Sequence, residues 1–130
     1  MQDLALLILR FSLAVTFLYH GIPKLLNVQP FVNMLGNLGV PLPLFFAWVV
    51  AIVEVGGGLL LLIGLWVRWV SIPLIINMLA AIFLVHLRHG FDFTKGGYEA
   101  NLWLLAMLFA LLLQDAGAYS VGKFLKKSEG

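Results

Sequence analysis

From Leu44 to Trp66 the chain carries a single charge, Glu54, and three glycines follow it at once in the run Glu54-Val55-Gly56-Gly57-Gly58. A membrane span takes about 20 mostly apolar residues. A carboxylate near its centre costs of the order of +2.5 to +3.5 kcal/mol to insert. Such a group needs a partner, and glycines let a second helix come close enough to supply one. Gly56, Gly57 and Gly58 are therefore the expected helix-packing residues. Arg10 is the expected partner. It lies about seven residues into the first apolar run and Glu54 about eleven into the second, so on antiparallel helices the two depths differ by several Å, within reach of a long side chain. Two readings of the pair stay open: a buried ion pair that sets helix register, and a polar site that holds a ligand headgroup or passes a proton.

Composition agrees with a membrane setting. Apolar residues make up 62% of the chain and charged ones 11%, whereas a soluble domain carries about 25% charged residues. Mean hydropathy is +1.04. The 130 residues suggest one domain, here 1–130. The net charge of +2 is spread over links and tail without a basic stripe, which argues against nucleic acid as a partner. With no cysteine, the chain has no disulfide, no thiolate nucleophile and no cysteine-ligated metal. Chemistry on sulfur substrates would need a partner protein. The N-terminus has no basic n-region and carries Arg10 inside its apolar run, so it reads as a first membrane helix rather than a cleaved signal.

Four spans are expected, at about 4–20, 44–66, 70–87 and 98–113. His20-Gly21 and Pro23 punctuate the end of the first, and Pro41-Leu42-Pro43 opens the second. Pro73 falls in the first turn of the third, and Asp115 and Gly117 close the fourth. The fold class is all-α: a polytopic membrane protein forming an antiparallel four-helix transmembrane bundle. The first link is long. Within it Phe31, Met34, Leu35 and Leu38 recur at helical spacing opposite Asn33 and Asn37, which predicts a short interfacial helix over 30–38, stopped by Gly39. Trp48, Trp66, Trp69 and Trp103 are mostly near span ends, as an aromatic belt requires. Arg68, Lys123, Lys126 and Lys127 fall on the side of the termini, against Lys24, Arg88 and Lys95 opposite. The cluster in the tail favours cytoplasmic termini in the inner membrane.

Antiparallel topology predicts a second polar cluster on the side away from the termini. His20 and Lys24 end the first span; His86 ends the third, with Arg88, His89 and Asp92 beyond it; Tyr98 and Glu99 open the fourth. These residue types suit acid–base or substrate-binding work. Their spacing matches no metal-ligand pattern, and no metal is expected. A haem between His20 and His86 lacks an attachment motif or a second histidine pair. Asn77, inside the third span, is expected to hydrogen-bond across helices or to contact a ligand.

The order Arg10, His20-Gly21-x-x-Lys24, Glu54-x-Gly-Gly, Gly64, His86 and Gly117-x-Tyr119-Ser120 resembles the DoxX family of small membrane proteins across nearly the whole chain. Family members often end Gly-Pro-Gly and then Ser-Leu-Asp. Here the matching positions read Asp115-Ala116-Gly117 and Ser120-Val121-Gly122, so a role for that final acid is not implied. The resemblance implies a four-helix inner-membrane protein. It further implies redox chemistry near the quinone pool, in oxidase, quinone-stress or thiol-stress systems.

The expected function is an inner-membrane subunit of a redox system, an oxidoreductase component acting with quinone. Quinone or a similar amphiphile is the expected non-covalent ligand. Arg10, Glu54, His20 and His86 are the expected catalytic residues, and Lys24, Asn77, Tyr98 and Glu99 the binding residues. The expected partners are the lipid bilayer, a redox partner protein and, because four short helices enclose little interior, a second copy of the chain. The alternative is a non-catalytic membrane scaffold or assembly factor. An ion conduit is a weaker third reading, since only one central charge pair is visible.

Overall fold

The computed structural model describes residues 1–114, 117 and 119–129, without the side chains of 126–129. The expected closing residue Asp115, the Ala116 of the family pattern and the side chains of Lys126 and Lys127 lie outside the described residues.

Among these residues the regular secondary structure is all helical, with no strands. The order is α1 (Gln2–Leu26), α2 (Gln29–Asn37), α3 (Pro43–Ile63), α4 (Val67–Ala81), α5 (Glu99–Gln114) and α6 (Val121–Glu129). A π turn over Ile82–His86 and a 3-10 turn over Leu87–His89 extend α4 without a break in the path of the chain. By length and composition three helices can cross a bilayer: Gln2–Leu26, Pro43–Ile63 and Val67–His89. The fourth, α5, is apolar and shorter. Each helix packs against neighbours that run the opposite way, in the ring α1, α3, α4, α5 and back to α1.

Leu13, Ala14 and Phe17 of α1, Leu61 of α3, Val67 and Leu74 of α4, and Leu108 and Leu111 of α5 meet on the bundle axis, all fully or almost fully buried. The outside is as apolar as the inside. Phe45, Ile52, Ile76, Phe83 and Leu113 are all more than half exposed. In water such a surface would mark an aggregating protein. Facing acyl chains it is what a membrane bundle requires.

Helix limits differ from the expected spans at two prolines. α1 does not stop at His20-Gly21; it runs through Pro23 to Leu26. One proline removes a single intrahelical bond, which neighbouring helices in a bundle can compensate. Gly21 is a packing residue rather than a stop: a Cβ there would lie 2.8 Å from the Glu54 Cβ and 3.1 Å from the Val55 backbone nitrogen. Pro73 lies well inside α4 rather than in its first turn, because α4 already begins at Val67. The link before it is tight. Gly64 (φ 76°) and Leu65 both donate their N–H to the Leu60 carbonyl, and Trp66 turns the chain in the left-handed region at φ 52°.

The short helix α2 packs against α3, with Leu35 buried and Phe31 half-buried. Gly39, at φ 82°, follows its end. The glycine triplet divides its work. Gly58 faces α1, where an added Cβ would stand 2.9 Å from Leu18 and 3.3 Å from the Ala14 carbonyl oxygen. Gly57 faces Leu74 of α4, and Gly56 faces open space. Successive helical residues point about 100° apart, so a triplet cannot face one neighbour.

Candidate functional site

The carboxylate of Glu54 is 3% exposed and pairs with Lys24, Nζ to Oε1 2.6 Å. Arg10 is not its partner. The contacts between α1 and α3 fix the register. Arg10 lies beside Leu61 and Gly64, Ala14 and Leu18 beside Gly58, and Gly21 beside Glu54. Gly21 stands about 16 Å farther along α1 than Arg10 at about 1.5 Å per residue, so the two charges sit at different depths. A depth count from estimated helix ends misplaces them; close glycine contacts set the register instead.

Gly21 and Lys24 are three residues apart and share one face of α1. Gly21 brings the α3 backbone close, and Lys24 then reaches Glu54. The continuation of α1 past Pro23 carries Lys24 to this position. The Lys24 side chain stays 26% exposed, and its ammonium lies 4.6 Å from the centre of the Phe31 ring on α2. The result is a buried acceptor, a half-open cationic donor and an aromatic face contributed by three different helices.

Arg10 is 1% exposed and serves another purpose. Nη1 donates to the Leu61 carbonyl at 3.1 Å, and Nη2 donates to the Tyr119 carbonyl. Its Nε has no partner among the described residues. Leu61 is in the last turn of α3, where carbonyls lack intrahelical donors and a cation is favoured. Gly64 must be a glycine, since a Cβ would run into Arg10 and Ser120 in a left-handed backbone. Ser120 accepts from the Lys123 N–H at 3.1 Å and so caps α6. The Gly122 N–H donates to the Gly64 carbonyl at 3.1 Å. Arg10, Gly64, Tyr119 and Ser120 thus form a clasp that ties α6 to the end of α3.

The second expected cluster does not assemble as one site. His86 Nδ1 donates to the Gly96 carbonyl at 2.7 Å, from the end of the π turn. Glu99 accepts from the Phe93 N–H at 3.3 Å. Arg88 donates to the Leu84 carbonyl at 2.9 Å. The Tyr98 ring meets Phe91 edge-on and packs against the core. His20 is exposed, edge-on to Tyr19. His86 and Glu99 instead brace the α4–α5 loop, whose backbone closes through Tyr98 N–H to Gly90 and Glu99 N–H to Phe91. Gly97 is crowded there, since a Cβ would stand 2.6 Å from the Phe91 carbonyl carbon. Among the described residues no three His, Asp or Glu side chains converge.

Asn77 is half-buried, and its side chain makes no hydrogen bond among the described residues. The amide between helices is Asn101, 9% exposed, whose Nδ2 lies 3.7 Å from the Met78 sulfur. It sits at the start of α5 beside Tyr98 and Glu99; only its polar character within an apolar run distinguishes it in the sequence. Trp66, Trp69, Val70 and Pro73 line a shallow apolar depression at the other end of the bundle from Lys24.

Asp92 caps the loop. It accepts from the Thr94 hydroxyl at 2.7 Å and the Thr94 N–H at 3.0 Å. These bonds, the hydroxyl's first, hold its pKa below the ordinary 3.8. A lowered carboxylate pKa stabilises the fold above the unfolded value and stops doing so as pH falls through the folded one. Acidification below about pH 4 is therefore expected to lower the protection of the Thr94 amide, measured as its hydrogen-exchange rate relative to the intrinsic rate at the same pH. Asp92→Asn should remove that pH dependence.

A DoxX family model matches residues 5–87. The chain is 28% identical over 127 residues to "Putative oxidoreductase CatD" of Bacillus subtilis (strain 168), covering 98% of this chain and 91% of that protein. It is 27% identical over 129 residues to the inner membrane protein YphA of Escherichia coli (strain K12), covering 94% and 91%. It is 31% identical over 134 residues to the membrane protein Rv3486 of Mycobacterium tuberculosis (strain ATCC 25618 / H37Rv), covering 92% and 80%. No solved structure matches. The matched residues include Arg10, Gly21, Lys24, Glu54 and Gly64, the charge pair and two of the four clasp residues, and the chain belongs to the DoxX family of membrane proteins.

Proposed function

We propose that this protein is an inner-membrane subunit of a redox system and holds the headgroup of a quinone or similar amphiphile at Lys24 and Glu54. The observation that carries the reading is the half-open charge pair. Lys24 is anchored by a buried carboxylate yet remains 26% exposed beside Phe31. An ammonium donates well to a quinone carbonyl, the Phe31 ring offers a flat apolar neighbour, and the carboxylate can pass a proton. A bound quinone would supply the electron-accepting chemistry. The chain's own residues orient the headgroup and move the proton, and the electrons come from a partner protein. The names of the similar CatD and YphA proteins support an oxidoreductase setting and the inner membrane. Arg10 and His86 support the reading as architecture, through the clasp and the loop.

The test is extraction of bound lipid from detergent-purified protein, with quinone measured by its oxidised-minus-reduced absorbance. Wild-type protein is expected to carry quinone. Lys24→Gln, which removes one charged donor, is expected to bind it roughly ten- to a hundredfold more weakly, with helix content unchanged by circular dichroism. Quinone-free wild-type protein that co-purifies with a second polypeptide would favour the scaffold alternative.

A further inference from the structure

We infer that α6 lies in the plane of the membrane interface and binds the headgroups of anionic lipids in the leaflet on the side of the termini. The helix has nine residues and is about 13.5 Å long, less than half of the roughly 30 Å hydrocarbon core it would have to cross. Its start is pinned to the α3–α4 turn by the Arg10 bond to Tyr119 and the Gly122 bond to Gly64. That turn exposes Trp66 at 63%, and Trp69 in the first turn of α4 is 72% exposed. Large exposed indoles at the end of a bundle mark the headgroup level.

The sequence of α6 splits into two faces. Val121, Phe124 and Leu125 share one, with Phe124 70% exposed. Lys123 is exposed on the other, and the sequence adds Lys126 and Lys127 three and four positions on. A phenylalanine so exposed at this level finds an apolar phase in the adjoining acyl boundary. The three lysines match the negative surface of a bilayer containing anionic lipid. Charge complementarity and continuity with the membrane-facing surface of the bundle both select the lipid surface as the occupant.

The chain has no cysteine, so Phe124→Cys and Lys123→Cys each create one site for a nitroxide label. The labelled proteins are reconstituted in phosphatidylcholine nanodiscs with and without phosphatidylglycerol, and accessibility to oxygen and to a water-soluble nickel chelate is measured by electron paramagnetic resonance. The label at 124 is expected to be open to oxygen and shielded from nickel, and the label at 123 the reverse. The number of phosphatidylglycerol molecules retained through detergent exchange is expected to fall when Lys123, Lys126 and Lys127 are changed to Gln, with preference for that lipid dropping about fivefold per lysine. Unchanged thermal unfolding of the triple variant separates this loss from misfolding. Nickel access at 124 in both bilayers, or lipid retention indifferent to the lysines, would overturn the inference.

Discussion

Lys24→Met is expected to destabilise the bundle by about 3–5 kcal/mol, because it strands a buried carboxylate. Glu54 is 3% exposed, while the Lys24 side chain keeps 26%. The two single variants should therefore be unequal. Glu54→Leu leaves an ammonium that is only partly buried and faces the Phe31 ring, so it should cost less than Lys24→Met. The double variant Lys24→Met/Glu54→Leu should regain most of the lost stability, since replacing both members of a buried pair by apolar residues is often neutral or stabilising. Thermal unfolding in detergent, followed by circular dichroism, gives the four corners of the cycle. A double variant as unstable as the sum of the singles would show that the pair is not coupled. Stability and ligand binding then separate cleanly. If the double variant folds but has lost quinone, the pair is a site; if it folds and retains quinone, the pair only sets register.

Arg10→Met is expected to be comparably severe for a different reason. It deletes charged donors to the Leu61 and Tyr119 carbonyls, each worth about 1.5–3 kcal/mol, and loosens the packing around Gly64. The damage should be local first. The chain beyond Gly117 should become sensitive to limited proteolysis before the four-helix bundle unfolds, because α6 is tied to the bundle through Arg10 and the Gly64 carbonyl. Glu54→Leu should not rescue it. The Arg10/Glu54 cycle should be additive within about 0.3–0.5 kcal/mol, as for independent sites, whereas the Lys24/Glu54 cycle should show strong coupling. Strong coupling between Arg10 and Glu54 would contradict the register of α1 and α3. Gly64→Ala should reproduce the Arg10→Met proteolysis pattern, since its Cβ would displace the guanidinium.

Much of this architecture is written in apolar runs and in the few residues that interrupt them. A chain with 62% apolar residues and apolar stretches of membrane length has few alternatives to a helical bundle. Short links then make neighbours antiparallel. The importance of Glu54 was equally legible, since a carboxylate in such a run is costly wherever it ends up. The amphipathic pattern of α2 also survives folding, down to the burial of Leu35 and the stop near Gly39.

The partner of that carboxylate was settled by packing. Helix ends read from sequence are uncertain by about two to four residues, and α1 gained more than a turn by continuing through Pro23. Gly21 and Gly58 admit one close approach between α1 and α3, and that approach puts Glu54 beside Lys24 and Arg10 beside the end of α3. In the same way His86, Asp92 and Glu99 looked like a polar cluster because topology sends them to one end. Their hydrogen bonds go to the loop that joins α4 and α5, since buried or loop backbone groups claim nearby side chains before a shared site can form. Apolar periodicity specifies which faces are buried. The pairing of individual charges depends on contacts of about 3 Å between residues far apart in the chain, and these exist only once the helices are in register.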